Sequence, residues 1–190
     1  MPFIDFSGMP WKPQVRYPGE MPDEIREMIL DHGSLTKQLK SIHNDEFFVE
    51  VIQHGWATPT ASEQRFLQCE EVDASIREVL LYGSGAPVVF ARSVLPRSSL
   101  YGENSVLLEL GEKPLGEYLF SQPSLTRGAI EIAEIPARQF NPYLDVMYDN
   151  ESAWGRRSLF YLNEKPISVC EVFLPVKESE TDTSLKKSEH

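Results

Sequence analysis

Cysteine and histidine are scarce in this chain of 190 residues, and neither type is arranged as a metal site or disulfide framework. The two cysteines, Cys69 and Cys170, are far apart and lack metal-ligand spacing. No signal peptide is recognisable, so we expect both thiols to be reduced. The four histidines form no motif with a carboxylate or a cysteine: His32, His43, His54 and His190. We therefore expect no metal in the site.

Positive charge is also in short supply, and long apolar runs are missing. The chain has 18 lysines and arginines against 29 acidic residues, which gives a formal net charge of −11. A nucleic-acid surface needs a basic patch, so no nucleic-acid partner is expected. No apolar run approaches the ~20 residues that cross a bilayer. We expect a cytoplasmic protein that does not insert into membranes, and a monomer.

The hydrophobic content is sufficient for one core. Hydrophobic residues make up 41% of the chain, which at this length supports a single domain better than two. We place that domain at residues 1–177. Residues 178–190 are polar, charged and repetitive, and we predict that they form a disordered tail.

The pattern of residues predicts an α+β fold, a single antiparallel β-sheet with helices packed on one side. Residues 136–153 contain prolines and a polar run and are expected to form a surface loop. The predicted helices are 22–31, 34–42, 103–110 and 114–120, and Ser34 is expected to cap the second of them. The predicted strands are 47–53, 64–70, 75–82, 87–95, 128–132, 158–162 and 167–174.

One carboxylate stands in an otherwise apolar strand. On a strand, Glu171 shares its face with Ile167, Val169 and Phe173. Burying a carboxylate there is costly without a partner, and a buried titratable group is a candidate for a functional site. The preceding hairpin is expected to turn through four residues, 163–166, and offers no obvious cation directly opposite. The alternatives are a partly hydrated face or an ion pair between Glu171 and Arg156.

Two arginines form a second unusual pair. In a symmetric hairpin through residues 83–86, Arg77 lies directly opposite Arg92 on a largely apolar face. Like charges opposite each other are destabilising, so this pairing suggests a bound anion with two carboxylates, each held by a guanidinium. The alternative is that a nearby glutamate neutralises one arginine, and there are three candidates: Glu78, Glu109 and Glu131.

Several short strings of residues, in one order along residues 20–175, resemble a known family, the chorismate pyruvate-lyases, which make 4-hydroxybenzoate for ubiquinone. No single string is specific, but their common order is. The strings are SLTK at 34–37, IREVLL at 76–81, ARSVLP at 91–96, LGEKPLGEYLF at 110–120, LTR at 125–127, IEI at 130–132, WGRR at 154–157 and EVFLP at 171–175.

The resemblance implies a site. Arg77 would bind the ring carboxylate, and Glu171 would contact the hydroxyl at the far end of the ring. Backbone groups of Leu35 and Leu115, in two helical flaps, would close an internal ligand site. Arg92 would hold the carboxylate of the departing pyruvyl group. The family usually has methionine where this chain has Leu35, a change of similar volume that should be tolerated.

The implied activity is that of a cofactor-independent carbon–oxygen lyase that eliminates pyruvate from chorismate to give 4-hydroxybenzoate. Such a reaction needs cationic groups for a dianion and a carboxylate near the ring carbon that loses its proton. Glu171 is either a general base or a group that orients the hydroxyl, and we expect orientation with electrostatics to dominate.

A binding function is the alternative. The expected fold resembles the effector-binding domains of certain transcription regulators, which bind a small molecule without converting it. Only about 33 residues precede Ser34, too few for the DNA-binding module of such regulators. A degenerate lyase that carries an aromatic acid would use the same residues as the enzyme.

Overall fold

A computed structural model describes residues 2–16 and 21–175, and its centre is one antiparallel seven-stranded sheet. The predicted tail at 178–190 lies outside the described residues. The strands are β1 Lys12–Pro13, β2 Phe48–Ala57, β3 Ala74–Gly83, β4 Ala86–Pro96, β5 Thr126–Pro136, β6 Ser152–Leu162 and β7 Lys165–Phe173. Their order across the sheet is β1-β5-β6-β7-β4-β3-β2. The predicted α+β class with one antiparallel sheet is confirmed.

Helices cover both faces of the sheet. The α-helices are α1 Asp23–Leu30, α2 Leu35–His43, α3 Ala61–Leu67 and α4 Leu115–Ser121. The longer 3₁₀ helices are Gly102–Glu109 and Ala137–Tyr143. Apolar residues of α1, α2 and α4 pack on one face, which is the predicted helical layer. The opposite face, packed against α3, the 137–143 helix and the N-terminal segment, was not predicted to carry helices.

Two tight turns set the hairpins that build the centre of the sheet. Ser84 and Gly85 join β3 to β4, and Asn163 and Glu164 join β6 to β7. All four have positive φ angles, the conformation of two-residue turns whose twist matches the strands they join. The second hairpin therefore turns through two residues, with Leu162 paired to Lys165.

The register of the first hairpin differs from the predicted one. Leu81 pairs with Val89 but Tyr82 pairs with Pro87, so β4 carries one extra residue next to the turn. Such a bulge shifts every pair beyond it by one residue. The side chains of β4 beyond the bulge therefore lie on the opposite face of the sheet from the predicted one. The predicted pairing of Arg77 with Arg92 is therefore wrong.

A helix replaces the strand predicted at 64–70. The helix α3 begins after Thr60, whose side chain accepts a hydrogen bond from the Glu63 amide while the Glu63 carboxylate accepts one from the Thr60 amide. This reciprocal capping needs only Thr or Ser followed three residues later by Glu. The Thr60–Glu63 spacing was therefore a readable signal for a helix at this point.

The segment 136–153 is not a surface loop. Its 3₁₀ helix places Phe140 fully inside the protein, against Phe90 of β4 with ring centroids 5.1 Å apart. Tyr148 is also buried, and its backbone is held by the side chain of Asn141. The apolar residues of this segment pack into the core on the face of the sheet away from the site described below, which explains its ordered path.

Candidate active site

A pocket lies between the sheet and the helices α2 and α4. The strands β2, β3, β4, β6 and β7 supply its floor, and the first turn of α2 together with α4 covers it. The lining residues are Leu35, Thr36, Val49, Arg77, Val79, Leu81, Ala91, Ser93, Pro114, Leu115, Gly116, Leu119, Phe120, Phe160, Val169 and Glu171. Four of the five site residues that the sequence predicted are therefore brought together.

Arg77 is a buried cation without an ion-pair partner. Its side chain projects from β3 into the pocket, and the residue is 3% exposed. Nη2 donates hydrogen bonds to the carbonyl oxygens of Gly111 at 2.7 Å and Lys113 at 3.2 Å. Among residues 2–16 and 21–175, no carboxylate lies within ion-pair distance of it. Burial lowers the pKa of Arg77, so a bound anion would stabilise this guanidinium.

Glu171 is held in place by Arg156, which lies directly opposite on β6. Nε and Nη2 of Arg156 donate to Oε2 of Glu171 at 2.9 and 2.6 Å. Nη1 donates to the carbonyls of Met28, Ile29 and Asp31 at the C-terminal end of α1. A cation at this end of a helix is favourable. One guanidinium thus ties the helix to the carboxylate and fixes the position of both.

The expectation that no cation lies opposite Glu171 is wrong, and the alternative of an ion pair with Arg156 is confirmed. The error came from the hairpin, which was expected to turn through four residues and turns through two. Within the described part of the chain, no group donates a hydrogen bond to the second oxygen of Glu171, Oε1. Because Glu171 lines the pocket, that oxygen is left for a ligand.

Arg77 and Glu171 mark two ends of one pocket. They stand on the same face of strands β3 and β7, with β4 between them and a register offset of two residues. Standard sheet spacings put their Cα atoms about 12 Å apart. Between them the floor is apolar or small, with Val79, Ala91 and Ser93. This is an arrangement for a flat ligand with an anionic group at one end and a hydroxyl at the other.

Leu35 and Leu115 are the first residues of α2 and α4, and both are buried in the wall of the pocket. Ser34 caps α2 by accepting a hydrogen bond from the Lys37 amide at 3.3 Å, as predicted. Pro114 precedes α4 and provides no side-chain cap. Both predicted flap positions therefore begin helices that cover the pocket.

The two flaps contact each other closely. A Cβ atom on Gly116 would lie 2.9 Å from Oγ1 of Thr36, so only glycine allows this approach without adjustment. Further out, Lys40 and Glu117 form an exposed ion pair at 2.6 Å, which contributes little on its own. The cavity under the flaps is about 40 Å³, smaller than the roughly 150 Å³ cavity that accepts benzene. The flaps must therefore move to admit an aromatic ring.

Arg92 lies on the other face of the sheet and does not line the pocket. It is 2% exposed and donates to Glu63 at 2.7 Å and to Glu78 at 2.7 Å. The prediction that Arg92 sits beside Arg77 in the site is wrong, because the bulge in β4 turns it to the opposite face. The alternative that Glu78 neutralises one arginine is confirmed for Arg92.

Two further arginines lie close to the pocket. Arg156 was considered as an alternative partner of Glu171 and as part of the string WGRR, and Arg127 only as part of the string LTR. Arg127, on β5, lies next to Phe160 and Phe120, which both line the pocket. Because cross-strand neighbours depend on register, neither placement could be read from spacing alone.

Groups that could hold a metal are not assembled near the pocket. In the described ranges, no cluster of three or more His, Cys, Asp or Glu side chains has metal-binding geometry. Both cysteines are free thiols. Cys170 is buried on the face opposite to Glu171, and burial raises its pKa, which suits packing better than nucleophilic chemistry. No helix within these ranges is long and apolar enough to span a bilayer.

Comparison with known sequences decides the family. The sequence model described as "Chorismate lyase" matches residues 11–180. The chain belongs to the chorismate lyase family. Among its relatives, a protein of Psychromonas ingrahamii is 38% identical over 156 residues, covering 80% of this chain and 83% of the relative. One from Thiobacillus denitrificans is 40% identical over 162 residues, covering 82% and 85%. Both carry the name "Probable chorismate pyruvate-lyase".

Comparison with solved structures supports the fold of this chorismate lyase family member. The C-terminal domain of the histidine utilization repressor from Pseudomonas syringae pv. tomato str. DC3000 superposes with a TM-score of 0.55 at 12% identity. The match covers 70% of this chain and 97% of the repressor domain. At that identity the likeness concerns the fold alone.

Proposed function

We propose that this chorismate lyase family member eliminates pyruvate from chorismate and releases 4-hydroxybenzoate. The observation that carries the proposal is the pocket itself, with the unpaired Arg77 at one end and the fixed carboxylate of Glu171 at the other. Arg77 binds the ring carboxylate, and Oε1 of Glu171 accepts the hydrogen bond of the ring hydroxyl. The amides of Leu35 and Leu115 complete the cover over the ring.

The reaction balances without an oxidant or a reductant. The ether bond between the ring and the enolpyruvyl oxygen breaks, the neighbouring hydroxyl-bearing carbon loses its proton, and that electron pair makes the ring aromatic. The enolpyruvyl fragment takes up a proton and leaves as pyruvate. Aromatisation supplies the driving force, so the enzyme needs to position a dianion and stabilise the leaving group. For this reason we propose that no metal or organic cofactor takes part.

Glu171 stands beside the carbon that loses its proton in this arrangement. Its other oxygen is held by two hydrogen bonds from Arg156, which fix the carboxylate in place and leave Oε1 to contact the substrate. We propose that Glu171 chiefly orients the substrate through the hydroxyl, and that its negative charge favours positive charge developing at the adjacent ring carbon.

The test is an assay of the purified full chain with chorismate. We expect 4-hydroxybenzoate, followed by its absorbance, and an equal amount of pyruvate, measured by a coupled dehydrogenase. Activity should survive dialysis against EDTA. A loss of turnover on chelation that a divalent ion restores would contradict the cofactor-independent mechanism. Tight binding of 4-hydroxybenzoate without turnover of chorismate would instead support a non-catalytic aromatic-acid binding domain.

A further inference from the structure

Arg127 is a cation next to the pocket whose hydrogen-bonding groups are incompletely used. Nη2 donates to Oγ of Ser158 at 3.2 Å, and Nη1 has only a long contact of 3.5 Å to the carbonyl oxygen of Asp31. Nε is buried and has no hydrogen-bond partner. In the part of the chain that the structure describes, no carboxylate lies within ion-pair distance of Arg127. A buried donor left unpaired is costly, so the site gains from an anion.

The charges around the pocket also favour an added anion. Among the described residues, Arg156 pairs with Glu171, the charges of Glu171 and Asp31 act on Arg127, and no carboxylate pairs with Arg77. Burial and the charge of Arg156 lower the pKa of Arg127 to about 10. The charged form of Arg127 is therefore disfavoured both by its removal from water and by the neighbouring cation. A dianion bound between these arginines would offset that cost.

The position of Arg127 along the sheet matches one end of the substrate. The strand order β5-β6-β7-β4-β3 puts Arg127 on the side of Glu171 and far from Arg77. In chorismate the ether carbon is adjacent to the hydroxyl carbon, so the enolpyruvyl group leaves from the hydroxyl end of the ring. If Glu171 binds that hydroxyl, the enolpyruvyl carboxylate is nearer to Arg127 than to Arg77.

We infer that Arg127 binds the enolpyruvyl carboxylate of chorismate and so takes the role that the sequence suggested for Arg92. This inference rests on the proposed function. Arg92 cannot take that role in this fold, because the sheet separates it from the pocket and two glutamates already bind it. Arg127, by contrast, has free donors on the pocket side of the sheet.

A flap residue that lines the pocket also contacts Arg127. The guanidinium carbon is 4.8 Å from the ring centroid of Phe160 and 5.7 Å from that of Phe120. Phe160 belongs to β6, whereas Phe120 belongs to α4 and is 38% exposed. A movement of α4 away from the sheet would carry Phe120 away from Arg127 and expose more of the guanidinium to an entering carboxylate. Cation–π contact with Phe160 keeps it positioned meanwhile.

Substitution of Arg127 distinguishes binding of the enolpyruvyl carboxylate from a purely structural role. The ligands to compare are chorismate, with two carboxylates, and 4-hydroxybenzoate, with only the ring carboxylate. We expect Arg127→Gln to lower kcat/KM for chorismate by roughly 30-fold or more, the scale of one lost charge-assisted contact. The inhibition constant of 4-hydroxybenzoate should change by less than about 3-fold. Arg127→Lys should recover part of the loss, because it restores the charge without the planar fork.

Arg65→Gln is the matched control, since Arg65 is an exposed arginine of α3 on the other face of the sheet. It should leave kcat/KM for chorismate and the inhibition constant of 4-hydroxybenzoate unchanged, and thermal unfolding should show that the Arg127 variants remain folded.

Equal losses for chorismate and 4-hydroxybenzoate in Arg127→Gln, or no loss for either, would overturn the inference while the parent remains a lyase. If the parent does not turn over chorismate, the proposed function fails. Calorimetric binding of the same two ligands to the same variants then decides the role of Arg127.

Discussion

Two buried arginines on one hairpin differ in what surrounds them. Within the described ranges, Arg77 donates hydrogen bonds only to carbonyl oxygens, whereas Arg92 is bound by Glu63 and Glu78 on the other face. Glu78 also accepts hydrogen bonds from the amide of Ile4 and the side chain of Gln53, so its carboxylate oxygens bind groups within the protein. The first arginine is therefore available to a ligand and the second is part of the core.

This difference predicts opposite effects of the same substitution. Arg92→Met leaves Glu63 and Glu78 buried without their cation and should lower the free energy of unfolding by ~3–5 kcal/mol. Arg77→Met removes an unpaired buried charge and should leave stability unchanged or raise it, yet abolish measurable binding of 4-hydroxybenzoate. Urea unfolding and ligand titration of both variants measure this. A stable Arg92→Met protein with impaired chemistry would show that Arg92 acts on the substrate after all.

The residues of the site could be predicted from the sequence, but the face of the sheet on which each one lies could not. Glu171, Arg77, Leu35 and Leu115 line the pocket as the family resemblance implied. Arg92 does not, because one extra residue in β4 reverses the face of everything beyond it. A bulge of this kind depends on local backbone geometry that spacing and composition do not encode. The long-range partners of Arg156 and Arg127 depend on register for the same reason.

At the scale of elements, the pocket is closed by two short helices that meet through one small residue. The helices α2 and α4 are in close contact where Gly116 faces Oγ1 of Thr36. Each begins with a leucine that covers the pocket, so a small separation of the helices changes the space available to a ligand. Among the described residues, the side-chain ion pair between these helices is the exposed one of Lys40 and Glu117, which does little to keep them together.

A methyl group at Gly116 should open the flaps. Gly116→Ala places a Cβ atom within 2.9 Å of Thr36 Oγ1, and overpacking of this kind costs about 1–3 kcal/mol. We expect 4-hydroxybenzoate to bind roughly 5-fold more weakly and to dissociate faster. Adding Thr36→Ala removes the clashing atom and should restore most of the affinity. Additive losses in the double variant would mean that the contact does not set the flap position.

The elements themselves were predicted unevenly. The helix after Ser34 was found because its cap and first turn are local signals. The capping box of Thr60 and Glu63 is equally local, so α3 could have been found with the same reasoning. The 137–143 helix could not, since only packing against Phe90 explains why that proline-containing segment is buried. Tertiary contacts decide such segments, and a single sequence does not show them.

At the scale of the whole molecule, an acidic protein encloses a cationic pocket. The chain carries a formal net charge of −11, yet Arg77, Arg127 and Arg156 lie in or beside one small cavity. A dianion is repelled by the overall charge and attracted only at short range, where solvent does not screen the arginines. Recognition of the substrate therefore depends on entry beneath the flaps.

The closed cavity predicts that product release limits turnover. With only about 40 Å³ beneath the flaps, 4-hydroxybenzoate cannot leave until α2 and α4 separate, and such lid motions often set kcat. Rapid mixing of enzyme with excess chorismate should show a burst of 4-hydroxybenzoate, close to one per enzyme, followed by slower steady turnover. Equal burst and steady rates would mean that chemistry is limiting and that the flaps are fixed walls.

A substitution in one flap is a second test of the prediction that product release limits turnover. Leu35→Gly keeps the backbone amide but removes the apolar side chain that is buried over the pocket, so we expect weaker product inhibition and a smaller burst. Ile42→Gly is the control, because Ile42 lies on the same helix with 59% of its surface exposed and shares the glycine cost of up to about 1 kcal/mol. If both variants relieve product inhibition equally, the effect comes from loosening α2 as a whole, and the leucine is not the closing group.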